Sequence, residues 1–597
     1  MNIEAPQITL FEDSHIEHCK NVLKKEAQIE DVVRALRDNV GDKHRTEQTE
    51  VVTEIAKRER KVFKTRAAAA IDRHLDATED GTKASELAIN KGLLNFVSLI
   101  TPNIRLRARA GSGKSTALVI KCDFLINELG VAPEAIQLLT FNRSASNDLS
   151  KKLRKALGDK VGKRVGVNTF HSLAYHILNC CPQTQHLKLI FKEEDRSQKE
   201  QLSDLEAIVV KETTARDFAA YRERYEGTSY SYMTRFENFD QSIRDFVTGA
   251  TALYRARRGT PTPLKHNPVT RHLERVVAAY EARLRQSSTL DGEAGLREAA
   301  RILEGDVDLA NLNRIDEGIQ PLFTRLGGGM QFLFVDEFQD FSAAFAEITQ
   351  GVMARNPNCV MNAVGDDWQS INAFMGADLS FFNGMKKTHV ASLNLPLHSN
   401  WRCGKRIVEL GNRVMGASKA TAAVPALPHD GKIRVRVGDI QNFKRKKEEW
   451  HAEAQDFLEG HINNMAQAAW ADDLRAGRER GTVVLLAAQN SPFSKSLQAY
   501  AKMIDTTEGG KVTTSTSHAS KGGEWDHVIL LDGTASHYPS AHPSEPAQRD
   551  MIKRADLEEE GQRLLYVAVT RAKYSLSILA PTELHPKLNA ALEIARR

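Results

Sequence analysis

The chain has 597 residues, of which 41% are hydrophobic and 27% charged, and its net charge is +5. This length predicts about four domains. No apolar run approaches the roughly 20 residues of a membrane span, the first residues lack a secretory signal, and the six cysteines show no metal-ligand spacing. We therefore expect a cytoplasmic protein with no membrane partner. The small net charge permits nucleic acid as a partner without arguing for it.

The first part of the chain predicts a helical N-terminal extension over residues 1–82. Apolar residues recur at helical spacing around Val32 and Leu36, and an alanine-rich stretch follows at 67–75. A charged run at 57–61 lies between them. Such a run is most often a solvated helix face, and the alternative is an arm that binds nucleic acid or a protein partner.

The segment after a short predicted strand at 103–106 has the pattern of a phosphate-binding loop. Gly111 and Gly113 let backbone N–H groups close around a phosphate, and the following helix presents its positive end to the same anion. Lys114 would reach the outer phosphates, and the Ser115 hydroxyl would help to hold Mg²⁺. Because Ala108 replaces the first glycine of the general pattern, a simple glycine-rich turn is the alternative. The predicted nucleotide-binding residues are Ala110, Gly111, Ser112, Gly113, Lys114, Ser115 and Thr116.

An acidic pair follows the apolar run 332–335. Open α/β sheets bind ligands at the carboxyl ends of their strands, and this pair would lie at such an edge. Asp336 suits the Mg²⁺ shell, and Glu337 suits positioning and deprotonating an attacking water. A surface acidic pair is the alternative, but the phosphate loop upstream favours the catalytic interpretation.

Strands and helices alternate from about residue 90, which predicts an α/β fold with parallel sheets in two lobes. The predicted strands lie at 103–106, 136–141, 165–171, 332–337, 359–367, 433–435, 483–486, 528–532 and 575–580. The predicted domains are a first lobe from 83–172 and 286–392, a helical accessory insertion at 173–285, and a second lobe at 393–597. Within the second lobe, residues 441–480 predict a solvated crossover helix or a small helical insertion.

Eight segments resemble, in the same order, the motifs of the UvrD/Rep/PcrA-like DNA helicases of superfamily 1. They are the phosphate loop and residues 140–145, 168–174, 335–340, 364–371, 400–402, 518–525 and 564–572. One such match is weak evidence, whereas eight in order are strong. The resemblance covers about residues 100 to 580 and implies two RecA-like P-loop NTPase lobes that clamp ATP and Mg²⁺ between them.

The resemblance also implies roles for single residues around the nucleotide. Gln369 would sense the γ-phosphate, and Arg402 and Arg571 would act as arginine fingers from the second lobe. Trp401 would stack on the adenine, and Glu524 would reach the ribose. Hydrolysis would then depend on closure of the two lobes.

The implied partner is single-stranded DNA and its junctions with duplex DNA. Matching family positions that touch the strand are Phe141, Thr169, His171, Phe374 and His518. Stacking on aromatic rings tolerates any base, so the grip would be largely independent of sequence. A protein partner, such as a nuclease or a repair or defence factor, is a further expectation.

Three departures from the family pattern qualify these expectations. No Gln lies between Gln48 and Gln137, so the usual adenine-reading residue is missing and selectivity for ATP is open. Residues 372–377 lack one aromatic residue and the Arg of the family segment. This loss would loosen the coupling between bound DNA and the ATP site. Only residues 501–517 stand where the family carries a second accessory subdomain, which predicts a short form without it.

The predicted function is an ATP-dependent single-stranded DNA translocase and DNA helicase, moving 3′ to 5′, in DNA repair, recombination or defence against phages and mobile elements. The alternative is an ATP-switched nucleic-acid sensor that regulates a partner effector without processive unwinding. A catalytically inactive relative is disfavoured because Lys114, Glu337 and Arg571 are all present.

Overall fold

Two parallel β-sheets with helices on both faces form the framework of the protein in the computed structural model. The structure describes residues 45–76, 82–86, 90–184, 186–190, 196–225, 239–305, 320–388, 392–438, 447–488, 497–507, 509–531, 533–534, 551 and 554–596. The predictions made for residues 1–44 lie outside the described residues. No helix in these ranges is long and apolar enough to cross a membrane.

The strands and helices alternate along most of the chain. The strands are β1 (Asn103–Ala108), β2 (Ile136–Thr140), β3 (Gly166–Thr169), β4 (Lys188–Ile190), β5 (Thr289–Asp291), β6 (Phe332–Val335), β7 (Val360–Gly365), β8 (Ser392–Leu397), β9 (Ser399–Asn400), β10 (Val424–Pro425), β11 (Lys432–Val437), β12 (Thr482–Ala487), β13 (Lys511–Thr516), β14 (Trp525–Leu530) and β15 (Ala572–Ala580). The helices are α1 (Arg45–His74), α2 (Lys91–Ser98), α3 (Lys114–Asp123), α4 (Arg143–Leu157), α5 (Asp159–Gly162), α6 (Phe170–Cys180), α7 (Arg196–Glu212), α8 (Ala215–Tyr225), α9 (Phe239–Arg257), α10 (Pro268–Gln286), α11 (Gly292–Glu304), α12 (Gln320–Thr324), α13 (Ala343–Arg355), α14 (Leu379–Thr388), α15 (Lys405–Val414), α16 (Lys447–Arg475), α17 (Leu497–Lys502), α18 (Arg554–Val569) and α19 (Pro586–Arg596).

The first sheet has the strand order β3-β2-β6-β7-β1-β8, and its strands pair in parallel. Strand β6 is a continuous apolar run because both of its faces are buried. Phe332 and Phe334 pack into the core on one face, while Leu333 and Val335 pack into the core on the other. Successive side chains of a strand alternate between its faces, so a strand covered on both sides has no polar position. The α/β fold class is confirmed.

Helix α1 packs against the first sheet through one apolar face. Ala56, Phe63, Ala67 and Ala70 are buried in the same core as β1. The charged run of this helix is divided between two environments, because Lys57 is exposed whereas the nearby Glu59 is buried. The described part of the predicted extension is therefore packed against the first lobe.

The second sheet has the order β11-β15-β14-β12-β13 and is also parallel. The helix predicted near 441–480 is present as α16, but it is not fully solvated as expected, because Leu458, Ile462 and Trp470 are buried against Val483 and Leu485. Asp456 and Arg475 of this helix are exposed, whereas Asp472 and Asp473 are buried with the apolar residues. The edge strand β13 was not predicted.

The described residues between α6 and β5 are mainly helical. Helices α7 to α10 share a core that includes Val209, Ile243, Val247 and Leu273. The short strand β4 pairs with β5 in parallel and so links the start and the end of this region. The exact domain boundaries stay predictions.

Candidate nucleotide site and nucleic-acid groove

The predicted phosphate loop connects β1 to α3 at the carboxyl edge of the first sheet. Gly111 and Gly113 have φ angles of +69° and +78°, in the left-handed region that glycine adopts without strain. Helix α3 begins at Lys114 with no side-chain cap on its first N–H groups. Uncapped N–H groups at the positive end of a helix form a ready site for an anion.

The acidic pair lies at the end of β6, facing this loop. Lys114 Nζ lies 3.4 Å from Glu337 Oε1, and the Glu337 N–H donates to Asp336 Oδ1 at 2.9 Å. Glu337 has a φ of +53°, which is rare for a residue with a side chain and marks a strained position. The Gln339 amide donates to the Glu337 carboxylate and so helps to hold it. Sequence reasoning gave Gln339 no role, although it lies within one of the motifs.

The two carboxylates differ in their electrostatic environment. Burial acts to raise the pKa of Glu337, but the positive charges of Lys114 and Lys521 outweigh it and hold this pKa below its usual range. Burial, and then the negative charge of Glu337, raise the pKa of Asp336. Glu337 is therefore ionised, whereas the charged form of Asp336 is disfavoured until a cation lies beside it.

The second lobe contributes a buried cation at the same place. Arg571 donates to the carbonyls of Val567 and Gly523 at 2.9 and 3.1 Å, and to Gln369 Oε1 at 3.1 Å. All three acceptors are neutral, and in the described part of the chain no carboxylate forms an ion pair with this guanidinium. Burial, followed by the nearby charge of Arg402, lowers the pKa of Arg571 to about 9. Such a cation has capacity for an incoming anion.

Arg402, Trp401 and Glu524 lie at the edge of this site. Arg402 Nε donates to Glu524 Oε2 at 2.9 Å, and Lys573 Nζ lies 3.1 Å from the other carboxylate oxygen. The backbone N–H of Trp401 donates to the Gly111 carbonyl at 2.8 Å, and 39% of the residue is exposed. Trp401 is thus beside the phosphate loop with its ring accessible, while Glu524 is occupied in holding two cations.

The two lobes touch through the phosphate loop itself. A Cβ atom added at Gly111 would lie 2.7 Å from Arg402 Cβ and 2.9 Å from Asn400 Oδ1. Asn400 Nδ2 also donates to the Ala110 carbonyl at 2.8 Å. Lys521, from the second lobe, donates to the Gln369 carbonyl at 2.9 Å and pairs with Asp340. These contacts join the lobes around the predicted catalytic residues.

Of the predicted DNA-contacting residues, two are brought together across the lobes. The rings of Phe374 and His518 lie 5.4 Å apart and nearly perpendicular. Phe141 and His171 each lie edge-on to Phe345, at 6.0 and 5.9 Å.

Thr169 is engaged in a structural contact. It is buried, and its hydroxyl accepts from the Ser172 N–H at 3.0 Å as the cap of α6. Its hydroxyl is therefore less suited to contact a strand than the four rings. The DNA-binding assignments stay predictions.

Comparison with known protein families agrees with this arrangement. Residues 89–390 match the family described as UvrD/REP helicase N-terminal domain, and residues 494–582 match the UvrD-like helicase C-terminal domain. The chain belongs to the UvrD/REP helicase family. The resemblance found from the motifs is thereby confirmed, and the first of these matches contains the phosphate loop, the acidic pair and Gln369.

Several curated members of the UvrD/REP helicase family are similar to the chain. They include DNA helicase IV of Escherichia coli, 23% identical over 78% of this chain and 64% of its own length, and a probable DNA helicase of Mycoplasma pneumoniae, 24% identical over 79% of each. The ATP-dependent DNA helicase PcrA of Leuconostoc citreum is 24% identical over 61% of this chain and 42% of its own length. The chain thus spans less than two thirds of the length of two of these relatives.

Proposed function

We propose that the protein hydrolyses ATP and uses this reaction to move along single-stranded DNA and unwind duplex DNA. The observation that carries the proposal is the convergence of Lys114 from the phosphate loop and Arg571 from the second lobe on the end of β6, where Glu337 lies. Two cations and an ionised carboxylate around an uncapped helix start suit a nucleoside triphosphate and its attacking water.

Glu337 is the proposed general base. Its carboxylate pairs with Lys114, which keeps its pKa low. A bound γ-phosphate would compete for Lys114, so Glu337 would lose part of this stabilisation and become a better proton acceptor. Activation of the base would then coincide with arrival of the substrate.

The donor set fits a magnesium ion. Ser115 supplies a hydroxyl at the start of α3, and Asp336 supplies a buried carboxylate whose pKa is raised by burial and by Glu337. Oxygen ligands are those that Mg²⁺ prefers, and a divalent cation would offset the cost of charging Asp336. When bound, the ion would neutralise charge on the phosphates.

Lobe contact is the proposed control on hydrolysis. Arg571 reaches Gln369 at 3.1 Å across the lobe boundary, and Arg402 is held beside it by Glu524. If the lobes separate, both guanidinium groups leave the phosphates, and transition-state charge loses its stabilisation. A cycle of closure and opening is what stepping along a strand requires.

The proposed track crosses the lobe boundary at Phe374 and His518. Phe374 and His518 belong to different lobes, so the distance between their rings would change as the lobes move while both rings contact the strand. Phe141 and His171 would extend this path over the first lobe. DNA is the proposed substrate because the similar proteins are DNA helicases. Single-stranded DNA and its junctions with duplex DNA, and 3′ to 5′ movement, follow from the family resemblance.

The pathway and the protein partners are proposed more broadly. Repair or recombination of DNA is one setting, and defence against phages or mobile elements with a partner nuclease is the other. A cytoplasmic location fits both.

An ATP-switched sensor is the second candidate function. It is favoured by the segment after Gln369, where Asn372 and the half-exposed Met375 replace the aromatic and charged residues of the family segment. A hydrogen bond of 3.0 Å from the Ala373 N–H to Glu560 keeps this segment tied to the second lobe. The sensor would bind nucleic acid and ATP with slow turnover that no nucleic acid accelerates.

ATP turnover measured alone, with single-stranded DNA, with duplex DNA and with RNA tests the proposal. Strong stimulation by single-stranded DNA is expected, together with strand displacement on tailed duplexes of one polarity. Lys114→Ala and Glu337→Gln should abolish turnover, with ATP binding retained in the Glu337 variant. Lys64→Ala, which replaces an exposed lysine of α1, is the control and should leave turnover unchanged. Flat, slow turnover would favour the sensor, and an active Glu337→Gln protein would contradict the assignment of the base.

A further inference from the structure

Arg109 is a buried arginine immediately before the predicted nucleotide-binding residues. The residue is 1% exposed. Its Nη1 donates to Asp366 Oδ1 at 2.8 Å and to Asp367 Oδ1 at 2.7 Å, and its guanidinium lies 3.6 Å from the centre of the Trp368 ring. A cation in so dry a place is costly unless it is paired, and these three partners provide the compensation. The sequence motifs assign no role to this side chain.

The same guanidinium reaches the second lobe. Arg109 Nε donates to the Thr421 carbonyl at 2.9 Å, across more than 300 positions of sequence. Around it, Ala110 and Trp368 form a small buried cluster with Tyr566. The Arg109 side chain therefore spans the boundary between the lobes directly beside the nucleotide.

Asp366 connects Arg109 to the catalytic residues. While one of its carboxylate oxygens accepts from Arg109, the other accepts from Gln369 Nε2 at 2.7 Å. This bond fixes the orientation of the Gln369 amide, so Gln369 Oε1 is left to accept from Arg571 Nη2 at 3.1 Å. Thr421, Arg109, Asp366, Gln369 and Arg571 thus form one continuous chain of hydrogen bonds.

We propose that Arg109 is a positioning residue, which aligns Gln369 and Arg571 through Asp366 and makes that alignment depend on contact between the lobes. The inference rests on the proposed ATP hydrolysis and adds a device to it. When the lobes separate, the Arg109–Thr421 bond breaks. The guanidinium then has freedom to shift on Asp366, and the Gln369 amide loses its fixed orientation.

The alignment acts on the reaction rather than on binding of ATP. The phosphate loop and Lys114 belong to the first lobe and do not pass through this chain of hydrogen bonds. Loss of Arg109 should therefore lower kcat and leave the KM for ATP nearly unchanged. A purely structural role would instead lower the folded fraction and leave turnover per nucleotide-binding site intact.

Steady-state kinetics on the full chain test the proposal, with turnover normalised to the sites that bind a fluorescent ATP analogue. Arg109→Met should lower kcat at least tenfold, with KM within threefold of the wild type. Arg109→Lys keeps a charge for Asp366 and should recover part of the loss. Arg105→Met is the matched control, expected within twofold, since this buried arginine donates to the Phe382 carbonyl within the first lobe.

The double variant Arg109→Met/Asp366→Asn covers the case in which Arg109→Met does not fold. It removes both buried charges together, and it should fold and still show the low kcat. Wild-type kcat in either folded variant, or a rise in KM with unchanged kcat, overturns the proposal while the hydrolysis stands. Wild-type protein without ATP turnover refutes the proposed function itself, and the positioning role with it.

Discussion

Replacing Gly111 by alanine tests how closely the two lobes must approach for catalysis. The residue has a φ of +69°, and an added Cβ would lie 2.7 Å from Arg402 Cβ. A further contact of 2.9 Å would form with Asn400 Oδ1. Both neighbours belong to the second lobe, so separation of the lobes would relieve the clash. The substitution should therefore oppose closure more than it opposes folding.

The expected magnitude has two parts. Holding an L-residue in the left-handed region costs about 1–2 kcal/mol wherever it occurs. Forcing a methyl group against packed neighbours costs about a further 1–3 kcal/mol. Only the second part acts on closure, and at about 1.4 kcal/mol per tenfold it corresponds to a fall in kcat of about 5-fold to 150-fold.

Gly130→Ala is the matched control for this experiment. Gly130 has a φ of +71°, and an added Cβ there meets no atom within 4 Å, so this variant carries the backbone strain without the clash. Thermal unfolding should shift similarly in the two variants, whereas kcat at saturating ATP should fall only in Gly111→Ala. Equal kcat values in the two variants would refute the reasoning that lobe contact at Gly111 limits hydrolysis.

Three further predictions concern helix docking, a buried lysine and the nucleic-acid groove. Glu59→Gln should lower the free energy of unfolding by about 1–3 kcal/mol. The two carboxylate oxygens of Glu59 accept from two backbone N–H groups, and the single oxygen of an amide cannot replace both. Chemical denaturation beside the exposed Glu54→Gln variant checks this, and equal losses of unfolding free energy in the two variants would contradict it. Burial lowers the pKa of Lys121 to about 7, while the unfolded chain keeps this proton to a pH of about 10. Between these two pH values the unfolded state binds more protons than the folded state, so Lys121 makes stability rise with pH. Lys121→Met should flatten this rise, which thermal unfolding at pH 7 and 9.5 measures. An unchanged dependence of stability on pH would contradict the assignment. Phe374→Ala and His518→Ala should each weaken single-stranded DNA binding by about 1–3 kcal/mol, measured by fluorescence anisotropy, with DNA-independent ATP turnover unchanged; undiminished binding would remove the two rings from the track.

Local sequence was sufficient to predict the elements that are defined by a few adjacent residues. The apolar run 332–335 predicted a strand with an acidic pair at its carboxyl end, and β6 spans these four residues and ends immediately before Asp336. Gly111 and Gly113 predicted a tight turn because a Cβ at either position would obstruct it, and the structure gives both residues a positive φ.

Elements whose stability comes from distant partners were harder to predict. Strand β13 has a polar, threonine-rich sequence with partly buried residues, so its pairing with β12 was not evident from apolar periodicity. The charges of α16 suggested a solvated segment, and only packing against β12 reveals that Leu458 and Trp470 form a buried face. Helix α1 carries Glu59 among exposed lysines, and its burial depends on two N–H groups at residues 100 and 101.

Short stretches of sequence are sufficient to identify the chemistry that this protein can offer, since a phosphate loop, an acidic strand end and two arginines are each defined by a few adjacent residues. The connections between these groups depend on how the chain packs in three dimensions. Arg109 meets Thr421 and Asp366, and Arg571 meets Gln369, across hundreds of positions of chain. Such contacts leave no periodic signal in the sequence. Their side chains must fit the surface where the two lobes meet, and this fit does not depend on the repeat of the local helix or strand.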